Sequence, residues 1–253
     1  MKIGIAGYGF VGRAFEVAAV KSNTVLVNDP AMDRNEDLSN VDALVVCVST
    51  PQADDGTCNI TNVADVLSNA PNVPILIKST ISLEGYHYIK NNFDLNINFS
   101  PEFLRAKTAV SDFLQMEYTI IAGEDTTFWN KWFTEQLTWK NLIIHNCTIP
   151  EAITIKYAEN SFLALKVSFF NQLYDFCKLA NQDFETVRSL LCKDERINDD
   201  HSIVTKERGW GGHCFPKDTS AFLKTAEKFD YDLNILRTAI DYNEKIRKPI
   251  DNQ

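Results

Sequence analysis

The chain has 253 residues, 45% of them hydrophobic and 23% charged, enough for one large core or for a nucleotide-binding domain followed by a smaller unit. A formal net charge of −9 argues against a surface that tracks nucleic acid or anionic lipid, because such surfaces carry excess Lys and Arg. No apolar stretch approaches the ~18 uncharged residues of a membrane span, and MKIGIAGYGF enters a strand at once, so a cytoplasmic chain without a signal peptide is expected.

From the N-terminus, short β-branched runs alternate with longer mixed segments: KIGIAG, NTVLVND, ALVVCVST, VPILIKST, INFSPEF, YTIIAG and NLIIHN. That alternation predicts βαβ units forming an α/β fold, with a Rossmann-type, doubly wound parallel sheet over residues 1–150. Gly7-Tyr8-Gly9-Phe10-Val11-Gly12 lies between the first strand and a helical RAFEVAAV. In that context the first glycine permits a tight turn, the second lets a pyrophosphate approach the backbone, and the third allows close helix packing. The following strand ends at Asp29, where a carboxylate meets the adenosine ribose hydroxyls and repels a 2′-phosphate, so NAD is expected rather than NADP. Thr50, in Ser49-Thr50-Pro51, and Thr80, in Lys78-Ser79-Thr80, put hydroxyls at strand C-termini; each serves a ligand or a helix cap.

After Pro150 the strand-like runs cease. PEAITIKYAENSFLALKVSFFNQLYDFCKLANQ reads as one long helix opened by Pro150 and Glu151, and 151–253 as a mostly helical second domain. Ile153, Tyr157, Leu163, Val167, Phe169, Phe170, Leu173, Tyr174 and Phe176 cover much of that helix's circumference, so burial on several sides is expected, by the second domain alone or partly by a second copy. Lys156 and Asn160, at i and i+4, share one face. A lysine on so apolar a helix either snorkels to a carboxylate or stabilises a developing oxyanion. The remainder is helical around one loop-rich stretch from Lys193 to Asp218, and NILRTAIDYNEKIRKPIDNQ predicts a last helix.

The six cysteines, Cys47, Cys58, Cys147, Cys177, Cys192 and Cys214, form no CxxC pair and no metal-ligand spacing with the histidines. Most are expected to be reduced core residues and no metal is expected. Cys214 stands apart, between Gly211-Gly212 and a helix start at Pro216-Lys217-Asp218. A helix N-terminus and a neighbouring lysine favour thiolate, and the glycines let a substrate near the backbone.

Taken in order, GYGFVG, Asp29, VSTP with DGT, KST, SPEFLRA, KYAENSFLALKVSFFNQL, DERI and GWGGHCFPKD resemble the UDP-glucose dehydrogenases of the UDP-glucose/GDP-mannose dehydrogenase family along the whole 253 residues. The resemblance implies NAD-dependent oxidation of the C6 hydroxyl of a sugar nucleotide, most simply UDP-glucose, to a carboxylate in two hydride transfers. It assigns Cys214 as the nucleophile, Lys156 and Asn160 as oxyanion stabilisers, Asp218 and Thr80 as holders of a water, and Glu102 as the base for thioester hydrolysis. Phe103, Leu104, Arg105, Gly211 and Gly212 would contact the sugar nucleotide, and Lys217, with Gly7, Gly9, Phe10, Val11, Gly12, Asp29, Thr50 and Thr80, the cofactor. Arg196 would reach a neighbouring subunit's site, implying a homodimer through the long helix.

Two residues depart from the family pattern, Ala106 and Gln172, where glutamate is usual. The resemblance also implies a short form without the family's third, UDP-binding domain. Related sugar nucleotides, a single-step β-hydroxyacid oxidation and a non-catalytic NAD-binding subunit are the alternatives.

Overall fold

The computed structural model describes residues 1–136 and 142–247. The chain divides into two units, one of residues 1–53 and 58–156, the other of residues 54–57 and 157–253.

The first unit is built on an eight-stranded sheet in the order β3-β2-β1-β4-β5-β6-β7-β8. Its strands are β1 (Lys2–Ala6), β2 (Thr24–Asp29), β3 (Arg34–Asn35), β4 (Ala43–Val46), β5 (Ile75–Ile77), β6 (Ile97–Phe99), β7 (Tyr118–Ala122) and β8 (Ile143–Cys147). Helices α1 (Phe10–Ala19), α2 (Thr61–Ser68), α3 (Leu83–Asn92), α4 (Ala109–Leu114) and α5 (Thr127–Gln136) connect them. β1 pairs in parallel with β2 on one side and β4 on the other. The order therefore reverses at β1, and the crevice beyond the C-terminal ends of β1 and β4 is where open sheets of this kind take ligands. β4 and β5 are buried at every position, as expected of parallel strands covered on both faces.

The sheet is less uniformly parallel than the β-branched alternation predicts. β3 returns antiparallel to β2, pairing Asn28 with Asn35 and Asp29 with Arg34, and β7 meets β6 antiparallel through Phe99 and Ala122. A two-residue strand has too little pattern to be read from sequence, and strand direction leaves no trace in hydrophobic alternation. The turn into β3 is made by Pro30–Met32, where Asp29 accepts a hydrogen bond from Ala31 N at 3.1 Å. Between α1, α4 and α5 the core is aromatic. Phe15 stacks on Trp132 at 4.9 Å, with Phe113, Trp129 and Phe133 buried around them.

The second unit is helical: α6 (Ile149–Leu179), whose first turns belong to the first unit, then α7 (Phe184–Leu191), α8 (Cys214–Glu227) and α9 (Asn234–Ile246). α6 opens with a capping box, Thr148 N donating to Glu151 Oε2 at 2.8 Å and Glu151 N to Thr148 Oγ1 at 3.4 Å. The loop before α8 is pinned by Trp210, whose indole N–H donates to Ser168 Oγ at 2.9 Å while its backbone exchanges two hydrogen bonds with the Asn243 amide. Arg208 adds an ion pair to Asp175 at 2.9 Å. The last helix ends at Ile246, and the expectation that it runs through Gln253 lies, beyond Arg247, outside the described residues.

Burial around α6 is uneven. Ile153, Tyr157, Val167 and Phe170 are buried and Leu163, Leu173 and Tyr174 half-buried, but Phe162, Phe169 and Phe176 are 66%, 56% and 60% exposed. The cysteines also depart from expectation. All six are free, yet only Cys58 and Cys177 are buried; Cys47, Cys147 and Cys192 are half-buried and Cys214 is exposed.

Candidate active site

The glycine loop closes the end of β1. Gly7 has φ +93°, and a Cβ there would lie 2.6 Å from the backbone of Cys47 and Val48. A Cβ on Gly12 would fall 2.2 Å from the Gly7 carbonyl oxygen, so only glycine lets α1 start this close to β1. Gly9 differs: a Cβ there would meet nothing, and it caps α1 with no side-chain hydrogen bond. The amides of the first turn are thus open toward solvent, beside half-buried Val11 and exposed Phe10, as a helix terminus binding a pyrophosphate requires.

Asp29 lies beside this loop and accepts from Tyr8 N at 2.6 Å. Next to it opens a cavity of about 690 Å³ lined by Tyr8, Gly9, Phe10, Arg13 and Met32 on one side and by the stretch from Ala106 to Ser111 on the other. Ala106 is exposed there, and its methyl group leaves without a carboxylate the corner where the family pattern has glutamate. The open helix terminus, the strand-end carboxylate and the close-packed glycines fit a dinucleotide.

A second group of residues gathers at the ends of β5 and β6. Lys78, just beyond β5, is buried and pairs with Glu102 Oε2 at 3.1 Å, and it donates to Ser100 Oγ at 3.1 Å. The other Glu102 oxygen accepts from Phe103 N at 2.9 Å and Leu104 N at 3.2 Å. The carboxylate therefore fixes the loop that bears Phe103, Leu104 and Arg105. Lys156, at 8% exposure, donates to the Glu102 carbonyl oxygen and stands 5.2 Å from the Phe103 ring centroid. Cys47 lies near Lys78 and Glu102, and burial pushes its thiol up to about 12 against the opposing pull of the Lys78 charge. Thr50 is buried and Thr80 half-buried. Arg105 turns outward into an ion pair with Asp112 at 2.7 Å, and the guanidinium holds that carboxyl well below the usual range.

In the second unit Cys214 is the first residue of α8, exposed, with Gly212 before it at φ +80° and nothing where its Cβ would be. Gly211 is closed instead, since a Cβ there would lie 2.4 Å from the Arg247 guanidinium. One turn into α8, Asp218 is 1% exposed, and its two oxygens are taken by Asn160 Nδ2 at 2.5 Å and Lys217 Nζ at 2.5 Å. Asn160 is thus aimed by a buried carboxylate whose charge Lys217 balances. Arg196 is 88% exposed and bound to Asp194 in its own loop; Gln172 is exposed on α6.

The sequence points to Glu102, Asn160 and Asp218 but to neither the ion pair with Lys78 nor the bond between Asn160 and Asp218. The only available signal for Lys78 was a charged residue at the end of an otherwise apolar strand, VPILIK, which calls for a buried counter-ion. Among the described residues no three His, Cys, Asp or Glu side chains gather to hold a metal ion, and no helix is long and apolar enough to cross a membrane.

Residues 18–137 match the model of the UDP-glucose/GDP-mannose dehydrogenase family, NAD binding domain, and residues 150–245 that of the same family's central domain. The chain belongs to the UDP-glucose/GDP-mannose dehydrogenase family. Its sheet-bearing unit carries that family's NAD binding domain, and NAD is the cofactor so implied. Among curated relatives it is 28% identical to a UDP-glucose 6-dehydrogenase of Bacillus subtilis over 81% of this chain and 49% of that one. It is 31% identical to the UDP-glucose 6-dehydrogenase of Pseudomonas aeruginosa over 80% and 48%. The chain spans about half the length of the curated relatives it matches. A UDP-glucose dehydrogenase from Pyrobaculum islandicum shares the fold with a TM-score of 0.82 at 22% identity, over 96% of this chain and 68% of that one. The 3-hydroxyisobutyrate dehydrogenase of Mycobacterium tuberculosis does so with 0.71 at 14%, over 96% and 92%.

Proposed function

We propose that the protein is an NAD-dependent sugar-nucleotide 6-dehydrogenase that converts UDP-glucose to UDP-glucuronate through a thioester on Cys214. The observation that carries the reading is the exposed thiol at the first position of α8, one turn before a buried Asp218 that orients Asn160. A two-electron dehydrogenase has no use for that thiol, whereas a four-electron oxidation of an alcohol to an acid needs a nucleophile to hold the aldehyde. In this reading residues 1–150 form the NAD-binding domain and residues 151–253 the central domain.

Bound at the glycine loop, NAD would supply the hydride acceptor twice, a first NAD for the C6 alcohol, whose hydroxyl proton is lost to solvent as the aldehyde forms, and a second NAD for the thiohemiacetal. The chain's own residues do the rest. The Cys214 sulfur adds to the aldehyde carbon, and the oxygen charge that develops is met by the Lys156 ammonium and the Asn160 amide. The resulting thiohemiacetal carbon bears the second hydride to be lost, and its loss leaves a thioester. Glu102 then takes a proton from water as the water attacks the thioester carbonyl, with Thr80 and Asp218 steadying that water; the carbon–sulfur bond breaks and the thiolate returns. Phe103, Leu104, Arg105 and the Gly211-Gly212 turn border the sugar nucleotide. Lys217 faces the cofactor while balancing Asp218.

The assembly is proposed to be a homodimer through α6. Ile155, Phe162, Phe169 and Phe176 recur every seventh residue, and all four are at least 40% exposed. Ala158, Leu165, Gln172 and Leu179 follow them by three residues each, as the second seam position of a helix pair would, Gln172 being the one polar member. A stripe so apolar and self-complementary suits a second copy of the same helix, and Arg196 extends toward that copy's site.

The test is the number of NADH formed per UDP-glucose consumed. Two are expected for the wild type, and Cys214→Ser is expected to stop short of the acid. A ratio of one that ignores the substitution identifies a two-electron alcohol oxidation instead, and turnover of GDP-mannose or a UDP-N-acetylhexosamine in place of UDP-glucose would move the substrate while keeping the chemistry.

A further inference from the structure

The adenosine end of the glycine loop carries a group of charges that the reading above leaves unused. Arg34 follows Asp29 by five residues and is paired directly across from it where β3 returns along β2. An arginine at this edge of a Rossmann sheet is the group that receives the 2′-phosphate of NADP. Here the guanidinium is already engaged. Its Nε lies 3.2 Å from Glu36 Oε1, its Nη2 3.5 Å from Glu16 Oε1, and its carbon 4.8 Å from the centroid of the Tyr8 ring. Glu16 is fixed in turn, because Tyr8 donates its hydroxyl to the other Glu16 oxygen. Glu36 is held by its backbone, its N–H bonded to Val27 and its carbonyl to the Asn28 amide. The second Glu36 oxygen is buried without a hydrogen-bond partner, a position costly for a carboxylate that only decorated the surface.

We propose that Glu16 and Glu36 are determinants of NAD over NADP: they occupy Arg34 and so withhold it from a 2′-phosphate. Three carboxylates, Asp29, Glu16 and Glu36, and two guanidiniums, Arg34 and Arg13, gather around Tyr8, whose N–H donates to Asp29 and whose carbonyl oxygen accepts from Arg13 at 3.2 Å. The local balance is negative, which repels a phosphate dianion and is indifferent to a ribose hydroxyl. Asp29 alone gives one hydrogen-bonding preference; the two glutamates remove the competing cation as well. The inference rests on the NAD reading of the glycine loop.

Direct binding tests it without turnover. NAD and NADP are titrated by calorimetry into the wild type, Glu36→Gln and Glu16→Gln/Glu36→Gln, with thermal melts to confirm folding. Glutamine keeps the size and the acceptor oxygen that Tyr8 uses, and should the double variant unfold, Glu36→Gln decides alone. The expectation is that the wild type prefers NAD and that the substitutions raise NADP affinity roughly ten- to hundredfold, the worth of a freed charge-assisted pair, while NAD affinity changes little. Adding Arg34→Ala to the glutamine variants should abolish the gain. An unchanged NAD/NADP ratio in folded variants, or a gain that survives Arg34→Ala, overturns the inference and leaves the NAD reading intact. A wild type that binds neither nucleotide overturns the NAD reading and the inference together.

Discussion

The glycine loop of the first unit and the cysteine turn of the second are both backbone devices at a helix start, but they are finished to different degrees. Around Gly7 and Gly12 there is no spare room: a single added carbon would enter the backbone of the neighbouring turn. At Gly212 the space for a side chain is open and Cys214 is exposed, while Asn160, Asp218 and Lys217 are fixed to one another. A cofactor that is bound the same way in every turnover suits a rigid cradle. An accessible thiol suits the proposed nucleophile, which would take up an aldehyde and release an acid.

The contrast is broken most severely at Lys78. Lys78→Met leaves Glu102 buried without its cation and is expected to cost about 3–5 kcal/mol, read from urea denaturation, with the double variant Lys78→Met/Glu102→Gln recovering part of the loss. Within the glycine loop, Gly12→Ala is expected to cost about 1–3 kcal/mol from overpacking and to abolish NAD binding. Gly9→Ala, with free space for its methyl group, should keep stability within about 0.5 kcal/mol while weakening NAD in calorimetry. Equal destabilisation by the two would show that the cradle is not built as described. The smallest effect is on reactivity alone. At pH 8 a limiting alkylating agent should label Cys214 first and Cys47 hardly at all, because burial leaves Cys47 a protonated thiol up to about pH 12; peptide mass spectrometry reads the order.

Much of the first unit was legible because its signals are local. GYGFVG lies within six consecutive residues between a strand and a helix, and the seven long strands each carry their own β-branched run. The capping box at Thr148 and Glu151 is equally local. What escaped depends on partners distant in the chain. Lys78 meets Glu102 across two strands, and Asn160 meets Asp218 across 58 residues; neither pairing leaves a periodicity to read. The expectation of a helix buried on several sides, by the second domain alone or partly by a second copy, is met within the chain for Ile153, Tyr157, Val167 and Phe170 and not for Phe162, Phe169 and Phe176, because counting apolar residues around a helix shows how much must be covered, not by which chain.

The proposed mechanism requires that Cys214 become covalently attached to the sugar during turnover. Glu102→Gln, which removes the proposed hydrolytic base, is mixed with NAD and UDP-glucose, quenched in acid and measured by intact and peptide mass spectrometry. An acyl adduct of the oxidised sugar nucleotide is expected on the peptide containing Cys214, formed together with two NADH per site. One NADH per sugar with Cys214 unmodified would contradict it.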